Sequence, residues 1–179
     1  MAAYKYPKPV KLVIGFLAES QGILEKVLPL LIEKFGDIDH TMPSIAFEYT
    51  NYYKDEIGNA PIKSFVSFTH LIPREKIVEI KRFTNELELK TFDGIRKVNI
   101  DPGYMTQGQF FLATTKDQRH RIYLQNGIFL ETTLYFENKT WKYFDWTYYD
   151  YRSSAYHTFF YIVRNTLTLQ LKKLPYSRP

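Results

Sequence analysis

Across residues 10 to 101 the spacing of apolar residues switches between a period of two and a helical period, in the order strand, helix, strand, strand, helix, strand. Few architectures accept that order. Val10 to Leu17 is β-rich and alternates weakly, so it reads as the first strand. Ser20 can cap a helix from Gln21 to Phe35, with Leu24, Val27, Leu28, Leu31 and Phe35 on one face. Pro29 is expected to kink that helix and Gly36 to stop it. Ser44 to Thr50 is expected as the second strand, with Ile45, Phe47 and Tyr49 on one side. A polar loop from Asn51 to Pro61 leads to a third strand, Ile62 to Thr69. Pro73 opens a second helix whose buried stripe is Ile77, Ile80, Thr84 and Leu87. Asp93-Gly94 turns the chain into a fourth strand, Arg96 to Ile100. The order βαββαβ predicts a ferredoxin-like split arrangement, with both helices on one face of an antiparallel sheet.

The rest of the chain is β-rich. Phe110 to Thr115 reads as a strand, and Asn126-Gly127 joins Arg121–Gln125 to Ile128–Phe136 as a tight hairpin. Asn138-Lys139 makes the next turn, into Thr140–Phe144. Ser153 or Ser154 caps a final helix with the stripe Tyr156, Phe160, Val163, Leu167, Leu171 and Leu174, and Pro175 ends it. The expected fold class is therefore α+β, a ferredoxin-like βαββαβ core extended by a C-terminal β-meander and a final helix. No linker or repeat divides residues 1–179, so one domain is expected.

Composition narrows the chemistry. With no cysteine, thiol nucleophiles, disulfides and thiolate metal sites are excluded, and a reducing cytoplasm suits the chain. Leu12 to Ala18 is the longest apolar run at seven residues, against the ~20 of a membrane helix, so no membrane partner is expected. Lys5, Lys8 and Lys11 precede it, but Glu19-Ser20-Gln21 does not resemble a signal cleavage site, and the run reads as a buried strand. The net charge of +5 permits nucleic-acid contact without requiring it. Fifteen tyrosines suit a half-buried sheet and also suit base stacking.

The stretches Lys8-Pro9-Val10-Lys11-Leu12, Phe35-Gly36-Asp37-Ile38-Asp39, Thr84-Asn85-Glu86-Leu87-Glu88 and Asn99-Ile100-Asp101-Pro102-Gly103-Tyr104 follow one another along the chain. Ala113-Thr114-Thr115-Lys116-Asp117, His120-Arg121-Ile122-Tyr123-Leu124 and Trp146-Thr147-Tyr148 continue the series. Together they resemble a family of single-domain bacterial and archaeal proteins about this long, domain of unknown function 4416. The resemblance implies neither an activity nor catalytic residues. No G-x-x-x-x-G-K-[ST] phosphate loop is present.

Three constellations carry chemistry. Asp101-Pro102-Gly103-Tyr104 follows a strand, and Pro then Gly is the pattern of a type II turn, which would set Asp101 and Tyr104 at a strand end. Lys116, Arg119, His120 and Arg121 form a short basic group able to hold a phosphate or carboxylate, although a solvated turn explains the same residues. Strand alternation would send Arg119 and Arg121 to one face and His120 to the other. A two-residue loop at Asn126-Gly127 would pair Gln125 with Ile128, Ile122 with Glu131 and His120 with Thr133. His120 and Glu131 then become diagonal neighbours, an arrangement that orients a general base or simply satisfies a buried histidine. Glu86 and Glu88 read as a charged solvent face, and His40, His70 and His157 are isolated, so no metal site is expected. The aromatic run Trp146-Thr147-Tyr148-Tyr149-Asp150-Tyr151-Arg152 either plugs the sheet end or lines a pocket or stacking surface.

Two classes of function follow. One is a pocket for a small anionic ligand, phosphate-bearing, with a nucleotide among the candidates. In it His120, Glu131 and Asp101 are the candidate catalytic groups and Tyr104, Lys116 and Arg121 the ligand contacts. The other is a non-catalytic module that binds RNA or protein through an aromatic, basic sheet. The first strand lacks the aromatic motif of an RNA-recognition sheet, and Lys63-Ser64-Phe65-Val66-Ser67-Phe68 lacks its K/R-G-F/Y opening. No cofactor is indicated.

Overall fold

The computed structural model describes residues 4–48, 57–58 and 60–174. Their strands are β1 (Val10–Ala18), β2 (Ile38–Ala46), β3 (Ile62–Ile72), β4 (Val98–Met105), β5 (Gln109–Thr114), β6 (Ile122–Gln125), β7 (Ile128–Glu137) and β8 (Thr140–Tyr143). The helices are α1 (Gln21–Phe35), α2 (Ile77–Lys90) and α3 (Ser154–Lys173), with short 3-10 turns at Arg74–Lys76 and Tyr149–Arg152. All eight strands form one sheet in the order β2-β3-β1-β4-β5-β7-β6, with β8 pairing the later part of β7 on the edge away from β5. Every pairing is antiparallel. The architecture is mixed α+β.

Burial follows strand periodicity. Leu12, Ile14 and Phe16 of β1 pack with Leu24, Val27 and Leu31 of α1 and with Ile80 and Leu87 of α2, so both helices cover one face of the sheet. On the other face Val13 and Phe65 join Phe110, Leu112 and Leu134 under Tyr156, Phe160, Val163 and Leu167 of α3. Helix α3 is capped by Ser153, whose Oγ accepts from the Tyr156 N–H at 3.4 Å. Ser20 makes no such side-chain bond, and α1 runs on through Pro29. Gly36 ends α1 at φ 87°, a conformation that strains any residue with a Cβ.

Several expectations need correction. The second strand begins earlier than Ser44, at Ile38, while Tyr49, Thr50, most of the following loop and Pro175 lie outside the described residues. Asp101-Pro102-Gly103-Tyr104 is not a turn, because β4 runs straight through it to Met105. Its proline and glycine have another use. Ile100 turns its N–H to Glu88 (2.7 Å) and its carbonyl to Lys81 (3.0 Å), away from β1 and towards β5. Pro102, two residues on, has the same orientation and no N–H to offer. The β4–β5 ladder therefore starts only at Gly103↔Leu112 and continues through Tyr104↔Phe111 and Met105↔Phe110. At Gly103 a Cβ would sit 2.2 Å from the Phe111 carbonyl oxygen, so the seam closes there only without a side chain. Below Gly103 the sheet is split, with Asn99–Asp101 on one bank and Ala113–Thr115 on the other.

The hairpin forms at Asn126 (φ 54°) and Gly127 (φ 74°), with Gln125 opposite Ile128. A shift between Tyr123 and Gln125 then moves Ile122 opposite Leu130 instead of Glu131. His120 precedes β6 in a turn closed by the Arg121 N–H on the Gln118 carbonyl (2.9 Å), so it has no strand partner and the expected pairing with Thr133 does not form.

Candidate functional site

The split in the sheet holds a cavity of 240 Å³. Its banks come from β4 (Asn99, Asp101) and from the end of β5 with the segment after it (Leu112 to Lys116). Leu17 and Lys63 form the floor on the α3 side, where the register sets Lys63, Leu17 and Asn99 in one row across β3, β1 and β4. Lys81 and Asn85 reach the cavity from α2 through the split. Arg121, Glu131, Tyr148, Asp150 and Tyr151 complete the far wall.

Lys63 and Lys81 are each 5% exposed. Lys81 Nζ donates to the Ile100 carbonyl and lies 3.4 Å from Asp101 Oδ1. Lys63 Nζ is 3.8 Å from Asp150 Oδ2, beyond good hydrogen-bond distance, with the rings of Phe65 and Tyr151 at 5.3 and 5.5 Å. Asp101 also accepts from Asn99, which in turn accepts from Arg96, and Arg96 Nε donates to Glu88 at 2.8 Å. Burial pushes the Asp101 carboxyl up, but Lys81, Lys63 and Asn99 outweigh it and hold the group below the usual carboxylate range. Asp150 goes the other way, since burial raises it more than Lys63 and two backbone N–H groups lower it. Burial also raises Glu88, against Lys81 and the Ile100 N–H. Tyr151 lines the cavity, and its buried hydroxyl has no hydrogen-bond partner among the described residues. Burial, with Asp150 and Asp101 nearby, raises its phenol well above the ordinary value. An unsatisfied buried hydroxyl costs about 1–3 kcal/mol.

The residues singled out from sequence divide. Asp101, Glu131, Lys116 and Arg121 line the cavity. His120 is one residue removed from it: Nε2 lies 3.3 Å from Glu131 Oε2 and its ring stacks on Trp146 at 5.2 Å, which stacks in turn on Phe144 at 4.6 Å. Arg121 does not face away from His120, because its Nε donates to the same Glu131 oxygen at 2.8 Å and its Nη1 to the Lys116 carbonyl at 3.1 Å. Burial lowers its pKa, but Glu131 and the Tyr148 hydroxyl raise it further, so the guanidinium is held by the protein. Glu131 Oε1 accepts from Thr133 at 3.2 Å, which commits both of its oxygens. Tyr104 lies elsewhere. It packs among Val10, Ile77, Val78, Ala113 and Ile128, against the Phe111 ring at 4.9 Å, and does not line the cavity.

Lys63 and Lys81 escaped the sequence reading, and so did the burial of Glu88, while Asp150 and Tyr151 lie in the aromatic run that was read as a sheet plug or a pocket lining. One signal was available. Lys81, Thr84 and Glu88 follow Ile77 at helical spacing, so all three sit on the buried stripe of α2. Among the described residues no group of three or more His, Asp or Glu side chains could hold a metal ion, and no helix is long and apolar enough to cross a membrane.

These observations define the class: an α+β protein whose antiparallel sheet opens between two strands around a buried, charged cavity. The chain belongs to the family described as Domain of unknown function (DUF4416), whose model matches residues 8–167. No curated protein and no solved structure matches it.

Proposed function

We propose that the cavity binds a small anionic molecule, a phosphate-bearing metabolite in the first instance and a nucleotide among the possible ligands. The observation that carries the reading is the pair of buried lysines, Lys63 and Lys81, whose carboxylate partners stand 3.8 and 3.4 Å away beside an unpartnered Tyr151 hydroxyl. Buried charges ordinarily gain short, saturated contacts, and the longer ion-pair distances here leave donor capacity among residues that line the cavity. Lys116 adds positive charge at the rim. If chemistry follows binding, Asp101 and Asp150 are the proton-transfer pair, because their surroundings push them apart: one stays ionised while the other holds a proton to higher pH. In this reading Glu131 and His120 fix Arg121 and the adjoining wall, Arg121 contacts the ligand from that fixed position, and Tyr104 has no part.

The test is titration with inorganic phosphate and simple sugar phosphates, followed by melting temperature and calorimetry. A phosphate compound is expected to raise the melting temperature, and Lys63→Met to weaken its binding by tenfold or more with the fold kept. RNA binding with a steep salt dependence, together with no response to any small anion, replaces this reading with the sheet-surface binding module.

We also infer a ferredoxin-like core in one domain. Strands β1 and β2, joined by α1, flank β3, while β3 and β4, joined by α2, flank β1, which is the split βαβ relation used twice. A cytoplasmic location fits the lack of cysteine.

A further inference from the structure

We infer that β6 is a dimerisation edge, at which two copies of this chain pair their β6 strands antiparallel about a two-fold axis and continue one sheet into the next. The strand order ends on two edges, β2 and β6, and they are not alike. Strand β2 contains Pro43, and its pairing with β3 is irregular at two places, between Ile38 and His40 and between Met42 and Ile45. Proline and irregular pairing are devices that stop an edge from pairing again. Strand β6 has neither proline nor charge. Among the described residues its outer edge pairs with no strand, all four of its residues are exposed, and Ile122 and Tyr123 keep 70% and 58% of their surface. The apolar strip continues past it. Trp146, 39% exposed, donates its Nε1–H to the Thr132 carbonyl at 3.0 Å, on the stretch of β7 between the residues paired with β6 and those paired with β8.

The occupant this edge fits is a second copy. An antiparallel strand edge is its own complement, because each copy offers the other the same run of N–H and C=O groups. Charge selects the same arrangement. No charged residue occurs from Ile122 to Leu130, and the nearest cations along the chain, Arg121 and Arg119, precede the strand, while the neutral turn Asn126-Gly127 follows it. Antiparallel pairing lays the arginines of one copy beside the turn of the other. It keeps the two pairs of arginines about a strand length apart, ~13 Å against a Debye length of ~8 Å. Parallel pairing would set them side by side. A nucleic acid would find no row of cations along this edge. The strand is short, so pairing covers on the order of 1,000 Å² in total, the lower limit of a specific interface, and the dimer is weak and reversible.

Sedimentation equilibrium of the full chain from about 1 to about 300 μM is expected to show a monomer–dimer equilibrium with a Kd of about 10–100 μM. Tyr123→Lys sets like charges close to the axis and should weaken it by tenfold or more, with the melting temperature of the dilute protein unchanged because the side chain is exposed. The chain has no cysteine, so Tyr123→Cys carries a single thiol that oxidation should link into a disulfide dimer. The same thiol at Lys90, exposed at the end of α2, should link poorly. A parent that stays monomeric throughout overturns the inference. A dimer that Tyr123→Lys weakens by less than tenfold, or thiols that link as readily from position 90 as from 123, also overturns it, because the contact then lies elsewhere.

Discussion

Strand β1 carries a buried ionic cluster at each end on the face covered by α3, and the two are built differently. At its start, Lys11 is fully buried, bonds Asp39 and donates to Gln170 Oε1 of α3 at 2.9 Å. Asp39 Oδ1 accepts from Ser67 at 2.5 Å, Gln170 Nε2 donates to the Thr69 carbonyl at 2.8 Å, and His40 meets Thr166 at 2.7 Å. Burial lowers the Lys11 pKa, with Asp39 opposing it. At the far end Lys63 and Lys81 face Asp150 and Asp101 at longer distances around a cavity. The residue types are the same, and the length of the contacts separates the roles. A saturated cluster locks elements together, whereas an unsaturated one keeps binding capacity in reserve.

The largest effect expected from this contrast is on stability. Lys11→Ala strips Asp39 of its ammonium partner inside the protein and should cost about 3–5 kcal/mol in urea denaturation. If that loss is no greater than the one from Lys63→Met, the contrast fails. Lys63→Met should be tolerated, because Asp150, already raised by burial, can take up a proton when its cation is removed.

A smaller effect concerns pH. Asp150 sits above its ordinary value, so as pH falls the folded protein protonates it before the unfolded chain does. Protonation favours the folded state there, and the gain is lost as pH rises through the folded value. It also removes a negative charge beside Lys63, while Asp101 stays ionised to lower pH. Sulfate does not itself titrate in this range. Its affinity should rise about tenfold as pH falls through the Asp150 titration in the parent, and stay level in Asp150→Asn. A slope that survives in Asp150→Asn assigns the titration to another group.

The smallest effect is the sharpest. Tyr151→Phe deletes a buried hydroxyl that has no partner among the described residues, so the unliganded protein should gain about 1 kcal/mol in denaturation while phosphate binding weakens. Stability lost rather than gained would mean that the hydroxyl is already satisfied.

The fold was more legible than the site, for physical reasons. Helix and strand periods act over a few residues, so α1 could be read to both of its ends, and so could Asn126-Gly127 as a turn. The buried stripe Ile77, Ile80, Thr84 and Leu87 also lies as expected. Asp101 drew attention through the turn pattern of Asp101-Pro102-Gly103-Tyr104, and Glu131 through the hairpin register that sets it beside His120. Their neighbours in space, Lys63 and Lys81, are 38 and 20 residues from Asp101 in the chain, and only pairing across β1 and the reach of α2 through the split bring them in. The Asp101-Pro102-Gly103 motif was misread because a turn uses the rotational preferences of proline and glycine, whereas this strand uses a missing N–H and a missing Cβ. His120 comes to Glu131 through the turn before β6, which no strand register describes.

Pro102 has a consequence for the order in which the molecule is completed during synthesis. The halves of the sheet on either side of it meet along the short ladder from Gly103 to Met105, and α3 spans both, packing on Val13 and Phe65 of one half and on Phe110, Leu134 and Trp141 of the other. The lining residues are spread from Leu17 to Tyr151, the last of them immediately before that helix. As the chain leaves the ribosome, the first bank and the floor emerge early, the second bank later, and the clasp that draws the halves together comes last.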